Sequence, residues 1–288
     1  MMRFKIPFDL PVVKKRIHYA EFSNQHYFSI LKCIATGSDE VVADMFDAVI
    51  YDLTTEDAHS MFALDKFCLL LDIRSIALGD KIEFVTSTQA KASLKIGNII
   101  NTLTNSIENA VLSHTIHVDD INITTHVPRK LRLIDLDDVI SSCIYSIQDQ
   151  DHTYLFDKMS SEEQQALMSS LPAEVMNCIL DHIKINKASL SSTNIIKENA
   201  ELGINAYTLD LYDNSLFSFL KSIYTDELMS FYELQFSLLS KLNISNEHFL
   251  SMTPSESKIF INLYNKEAKK QQKEESKHNN PVGGFPAR

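Results

Sequence analysis

Two hydrophobic periods alternate along this chain, and that alternation constrains its fold more than any single motif. Apolar residues first recur at helical spacing (Tyr27, Ile30, Leu31, Ile34), with Gly37 placed as a stop. A second helical stretch over 38–51 carries Val42, Phe46, Val49 and Ile50, and a third over 55–78 carries Met61, Leu64, Phe67, Cys68 and Leu71 before Gly79. From Lys81 to Val127 the texture turns to Thr/Ser/Asn-rich alternation, with Ile82 and Phe84 and later Ile116, Val118, Ile121 and Ile123 at period two. Such alternation predicts a small β insertion. Within it, residues 96–112 fit neither period cleanly. Helices are expected again over 135–146, 160–170 and 172–185, and a second polar, β-flavoured insertion over 186–212. The predicted class is therefore mainly α with two small β-hairpin insertions, an α+β chain.

The two ends read differently from the middle. Phe4, Ile6 and Phe8 alternate with Lys5, Pro7 and Asp9, and Pro11 restricts the segment to an edge or an arm, so residues 1–20 are expected as an extended N-terminal arm. Helical regions follow over 21–80, 128–185 and 213–266, flanking the insertions at 81–127 and 186–212, and residues 267–288, charged and then Pro/Gly-rich, read as a flexible tail. In the C-terminal helical region Thr253-Pro254-Ser255-Glu256 marks a helix start. Thr253 suits the N-cap, Pro254 the first turn, and Glu256 closes a capping box.

Composition narrows the function. A net charge of −11 argues against a nucleic-acid surface, since phosphate neutralisation needs Lys and Arg in excess. No run approaches the length of a membrane span, and residues 1–11 lack the apolar core of a signal peptide. Cys33, Cys68, Cys143 and Cys178 each sit beside apolar residues without metal or redox spacing, and are expected as buried thiols of a protein made in a reducing cytosol. Six glycines leave little material for phosphate-cradling loops, and no nucleophile motif is present, so no catalytic residue and no cofactor is expected.

One constellation has metal-like spacing, His114-x-x-His117-x-Asp119-Asp120. On a strand His114 and His117 point to opposite faces, which favours a solvated hairpin over a metal site. Asp135, Asp137 and Asp138 read as the charged start of a helix. The residues best suited to receive partners are Phe4, Ile6 and Phe8 on the arm, Phe231 and Tyr232 among the C-terminal aromatics, and Phe285 in the tail.

Three blocks in shared order carry a family resemblance. The first is Pro7, Pro11 and Val12-Val13-Lys14-Lys15 with Tyr27-Phe28-Ser29-Ile30-Leu31. The second is the run from Phe62 to Leu71 with Ile73-Arg74-Ser75-Ile76-Ala77-Leu78-Gly79-Asp80. The third is Leu216-Phe217-Ser218-Phe219-Leu220, then Phe231-Tyr232-Glu233-Leu234, then Met252-Thr253-Pro254-Ser255-Glu256. With these blocks the chain resembles the baseplate hub and tail-assembly proteins of contractile-tailed (myovirus) bacteriophages, from about Phe4 to Leu263. Residues 81–127 and 186–212 contain no cysteine, so the insertions rest on cross-strand pairs rather than metal.

The resemblance implies a non-enzymatic part of a phage tail baseplate. It would be made in the host cytoplasm and built into the virion, in an undetermined number of copies. Its partners would be other hub or tail subunits, with neither nucleic acid nor membrane among them. It leaves open an assembly chaperone that departs before the particle matures. Readings of other classes are a metal-dependent hydrolase using His114, His117 and Asp119, and a helical regulatory adaptor unrelated to phage.

Overall fold

The computed structural model describes residues 4–85, 91–108, 110–118, 120–149, 152–189, 193–196, 207–225 and 228–278. The chain divides into two compact units: Met1–Glu21 with Ser29–Asp226, and Phe22–Phe28 with Glu227–Arg288. It is mainly helical, with small antiparallel sheets.

The first unit opens with β1 (Lys5–Asp9) and β2 (Arg16–Ala20), paired antiparallel from Lys5↔Ala20 to Asp9↔Arg16. The expected arm thus turns back on itself as a hairpin. Lys14 adopts φ 51 in the turn, and Arg16 donates two 2.7 Å hydrogen bonds to the Asp9 carboxylate across the strands. The turn is anchored too, because the Val12 N–H donates to the buried Asp65 carboxylate at 2.7 Å.

α1 (Asn24–Thr36) and α2 (Asp39–Thr54) follow. Ser38 caps α2, and Thr55 ends it in the left-handed region at φ 64, so the third helical pattern does not begin at Thr55. After a single 3-10 turn at Ala58–Ser60, α3 (Ala63–Leu78) forms the centre of the unit. It buries Ala63 through Leu71 without a break, together with Ile73 and Ala77. A helix apolar on all sides must be surrounded, and α3 packs against α2, α4 and α8.

The first insertion holds β3 (Lys81–Val85) paired with β4 (Lys91–Lys95), and then α4 (Ile96–Ile107) over the stretch that fitted neither period. Its buried residues, Ile96, Ile99, Leu103 and Ile107, recur at spacings of three and four, the helical repeat that the surrounding Asn and Thr residues hide. β5 (Ser113–Val118) and β6 (Ile121–His126) begin a four-stranded antiparallel sheet.

α5 (Leu136–Cys143) starts at Asp135, whose side chain accepts from the Asp138 N–H. It ends three residues short of the expected Ser146. Ile144, Ser146 and Ile147 instead pair with β6 as β7 (Ile144–Gln148), and β8 (Thr153–Leu155) completes the sheet. Ile116, Ile123 and Ile147 lie opposite one another across three strands and are buried. That line of cross-strand pairs outweighs helical continuation.

α6 (Ser161–Ser170) has a complete Ser160–Glu163 capping box, and α7 (Ala173–Ser189) runs into the second insertion before β9 (Thr193–Ile196) pairs with β10 (Tyr207–Leu209). α8 (Ser215–Tyr224) closes the unit, with the Tyr224 hydroxyl donating to the Leu70 carbonyl at 2.7 Å. Cys68 and Cys143 are buried, and burial pushes both thiols well up from their ordinary range. Cys178, expected inside, is exposed, because the inward face of α7 runs through Val175, Ile179, His182 and Ile183.

The second unit consists of α9 (Leu228–Leu242), α10 (Asn246–Ser251) and α11 (Pro254–His278) around the segment that begins α1. Thr253 and Glu256 make the expected reciprocal cap, at 3.2 and 2.8 Å, with Pro254 as the first helical residue. α11 continues beyond Lys266 to His278 on a run of Glu, Lys, Gln and Ala, strong helix formers even without an apolar face.

Candidate docking surfaces

An aromatic cluster organises the second unit. Phe231 on α9 is only 5% exposed. Its ring stacks on Phe28 at 5.2 Å and meets Tyr27 and Phe249 at 6.1 and 5.4 Å. Asn24 ties the cluster together: its side-chain N–H groups donate to the Phe249 carbonyl (2.9 Å) and the Ser257 hydroxyl (2.6 Å), and its backbone N–H donates to the Met252 carbonyl (2.7 Å). Phe231 is therefore core rather than surface.

Its neighbour Tyr232 does face outward, and it does so with company. Met229, Tyr232 and Phe236 follow one another at spacings of three and four along α9, all exposed, and Phe236 leaves 70% of its surface free. α11 carries a similar stripe of Ile259, Phe260 and Leu263. Large apolar residues grouped in this way on helices mark surfaces that other molecules cover. The sequence presents Phe236 and Leu263 as parts of the same apolar pattern as the core. Only the burial of Phe231 and Leu238 shows which side of α9 faces inward.

At the other end, Phe4 is 77% exposed, while Ile6 and Phe8 are half-buried on β1. The hairpin is a two-stranded sheet, so among the described residues β1 keeps one edge without a strand partner. Phe285 and Asp119 lie outside the described residues.

The metal-like set does not converge. The His114 ring stacks on His182 at 4.8 Å, whereas the His117 ring meets the Asn122 side chain across the hairpin. Among the described residues no three His, Cys, Asp or Glu side chains gather as metal ligands.

Polar chemistry concentrates instead in a cavity of about 460 Å³ in the first unit, walled by α2, α3, α5, α6 and the segment 129–134. Lys66, from the middle of the apolar run on α3, reaches it with 3% of its side chain exposed and a 2.9 Å bond to Asp47. Burial depresses its pKa, and the Asp47 charge opposes that shift. Arg129 lies beside it, its guanidinium 4.7 Å from the Tyr145 ring centre and 5.8 Å from that of Phe62. His126 stacks on Phe62 at 3.9 Å and accepts the Val127 N–H on Nδ1. Burial, with the charge of Arg129 next, lowers its pKa to about 4. The sequence hint to this cavity was Lys66, which with Asp65 interrupts an otherwise apolar run.

The family model for the T4 bacteriophage base plate protein matches residues 1–199. The chain belongs to that family. It is a bacteriophage baseplate protein, of a family of structural baseplate components, and its implied partners are other baseplate subunits. The matched stretch includes the first two of the three sequence blocks and stops short of the third, at 216–256. No curated protein and no solved structure matches the chain. No described helix is long and apolar enough to cross a membrane.

Proposed function

We propose that this chain is a non-enzymatic structural subunit of the hub region of the tail baseplate, holding neighbouring hub and tail subunits in place through its helical faces. Family membership supplies the baseplate context. The observation that carries the docking role is the pair of exposed apolar stripes on α9 and α11, centred on Phe236 and Leu263. Such surfaces gain roughly 25 cal/mol per Å² of apolar area when a partner covers them. A baseplate subunit must bind its neighbours firmly and in one arrangement, and helices present anchors on a backbone that is already ordered.

The N-terminal hairpin is proposed as a second contact, with Phe4 as its exposed anchor and the free edge of β1 open to strand addition. Complementation of a phage deleted for this gene tests both contacts. Phe236→Asp with Leu263→Asp should yield folded protein that no longer supports baseplate assembly, and removal of residues 1–11 should weaken assembly. Full assembly with the doubly substituted chain would rule out the helical stripes as the docking surface.

A further inference from the structure

Of the cavity's cations, Arg129 and Arg132 have no hydrogen-bonded partner among the described residues, and of these two only Arg129 is buried. Lys66 is hydrogen-bonded to Asp47, and Lys130 to Asp138 at 2.8 Å. Arg129, with 9% of its side chain exposed, approaches only Asp157, at 3.7 Å, beyond hydrogen-bond range. Its flanking contacts are the faces of Tyr145 and Phe62, which hold the guanidinium but accept no N–H in its plane. Among the described residues its side chain donates no hydrogen bond, although a guanidinium carries five N–H donors in a rigid fork. That fork opens onto a cavity wide enough for a side chain to enter, so its N–H groups can be reached by an acceptor from outside.

We propose that the cavity is a socket for a carboxylate, received in the plane of the Arg129 guanidinium and delivered as an Asp or Glu side chain of a neighbouring baseplate subunit. The planar fork of arginine matches two carboxylate oxygens. The Tyr145 and Phe62 faces fix the plane in advance, so little ordering is lost on binding. The charge of the lining disfavours a phosphate more than a singly charged group. Lys66, Arg129, Lys130 and Arg132 line the cavity together with five carboxylates. Two of these, Glu40 and Asp44 on α2, have no cationic partner among the described residues and repel a dianion more strongly than a monoanion. The carboxylate chemistry stands on the cavity alone; delivery by a neighbouring subunit rests on the baseplate reading above.

The test titrates the purified full-length chain with acetyl-glutamyl-amide, following arginine Nε–H signals by NMR, with inorganic phosphate and acetamide as controls. The Arg129 signal is assigned by its loss in Arg129→Lys. A saturable shift of that signal is expected with the glutamyl probe, at least about tenfold weaker with phosphate and absent with acetamide. Ser141→Phe, which narrows the cavity while leaving Arg129 in place, should abolish it. No saturable shift, or tighter binding of phosphate, overturns the socket. The source is read separately, by photo-crosslinking during infection from a benzoylphenylalanine substituted at Ile134, an exposed residue of the cavity lining that leaves the space at Ser141 open. Attachment beside an Asp or Glu of a baseplate subunit supports delivery by a partner. A glutamyl-dependent shift with no such crosslink overturns that delivery and points to a free small carboxylate. Both readouts are independent of whether the chain remains in the finished virion.

Discussion

The two units of this protein bury different chemistry. The first holds Asp65, Lys66, Arg129 and His182 inside, all ionisable, whereas the buried polar residues described in the second are Ser23, Asn24 and Ser257, all uncharged. Outside, the second unit displays apolar stripes along α9 and α11. A core containing charges depends on its partners and on pH. A core of stacked rings and one amide depends on packing and leaves its outer faces free for docking.

The sharpest way to break this contrast is Asp47→Ala. It strands Lys66 without its partner in a buried site, at a cost of about 3–5 kcal/mol. Chemical denaturation of purified protein should show that loss, and a change below about 1 kcal/mol would mean Lys66 reaches water and the first unit does not rest on buried charge.

Acid provides the next test. Burial, opposed by the Val12 and Val13 N–H groups, raises the Asp65 pKa from 3.8 to about 6. A carboxyl group raised in this way takes up its proton in the folded state first, so it favours folding as pH falls from about 6 towards 4. His126 works in the opposite sense. Its pKa falls from 6.5 to about 4, so its contribution is present above 6.5 and is lost on acidification. Asp65→Asn should keep the acceptor for Val12 but remove the compensating gain. Between pH 6.5 and 4.5 it should lose about 2 kcal/mol more stability than the unaltered chain. Equal pH profiles would show that Asp65 is ionised and satisfied in the fold.

Much of this was legible beforehand. The Thr253–Glu256 cap, the Gly37 stop and the apolar periods of α1, α2 and α3 follow from local rules that tertiary contacts did not overturn. What escaped was decided by distant partners. Ile144–Gln148 is a strand because β6 lies beside it, and residues 5–9 pair because the chain turns back at Lys14. The cavity was illegible for the same reason: Lys66 and Arg129 are 63 positions apart, and no spacing rule joins them. Of the residues singled out as partner contacts, Tyr232 and Phe4 face outward, while Phe231, equally aromatic, faces in. Composition cannot tell the two sides of one helix apart.

Smaller effects sharpen the picture of the second unit. Thr253→Ala should remove the cap of α11 for about 1 kcal/mol, visible as faster amide exchange in its first turn and unchanged exchange across α3. Phe236→Asp should alter unfolding by less than about 0.5 kcal/mol, because the ring is already in water. A large loss at Phe236 would mean the stripe belongs to the core and is no docking face.

A structural subunit of the baseplate stays in the finished particle, and that is the role proposed for this chain. Quantitative mass spectrometry of purified virions tests it most directly. The chain is expected at a fixed ratio to the other baseplate subunits; its presence in infected-cell lysate but not in virions would overturn the structural role and make the protein an assembly chaperone.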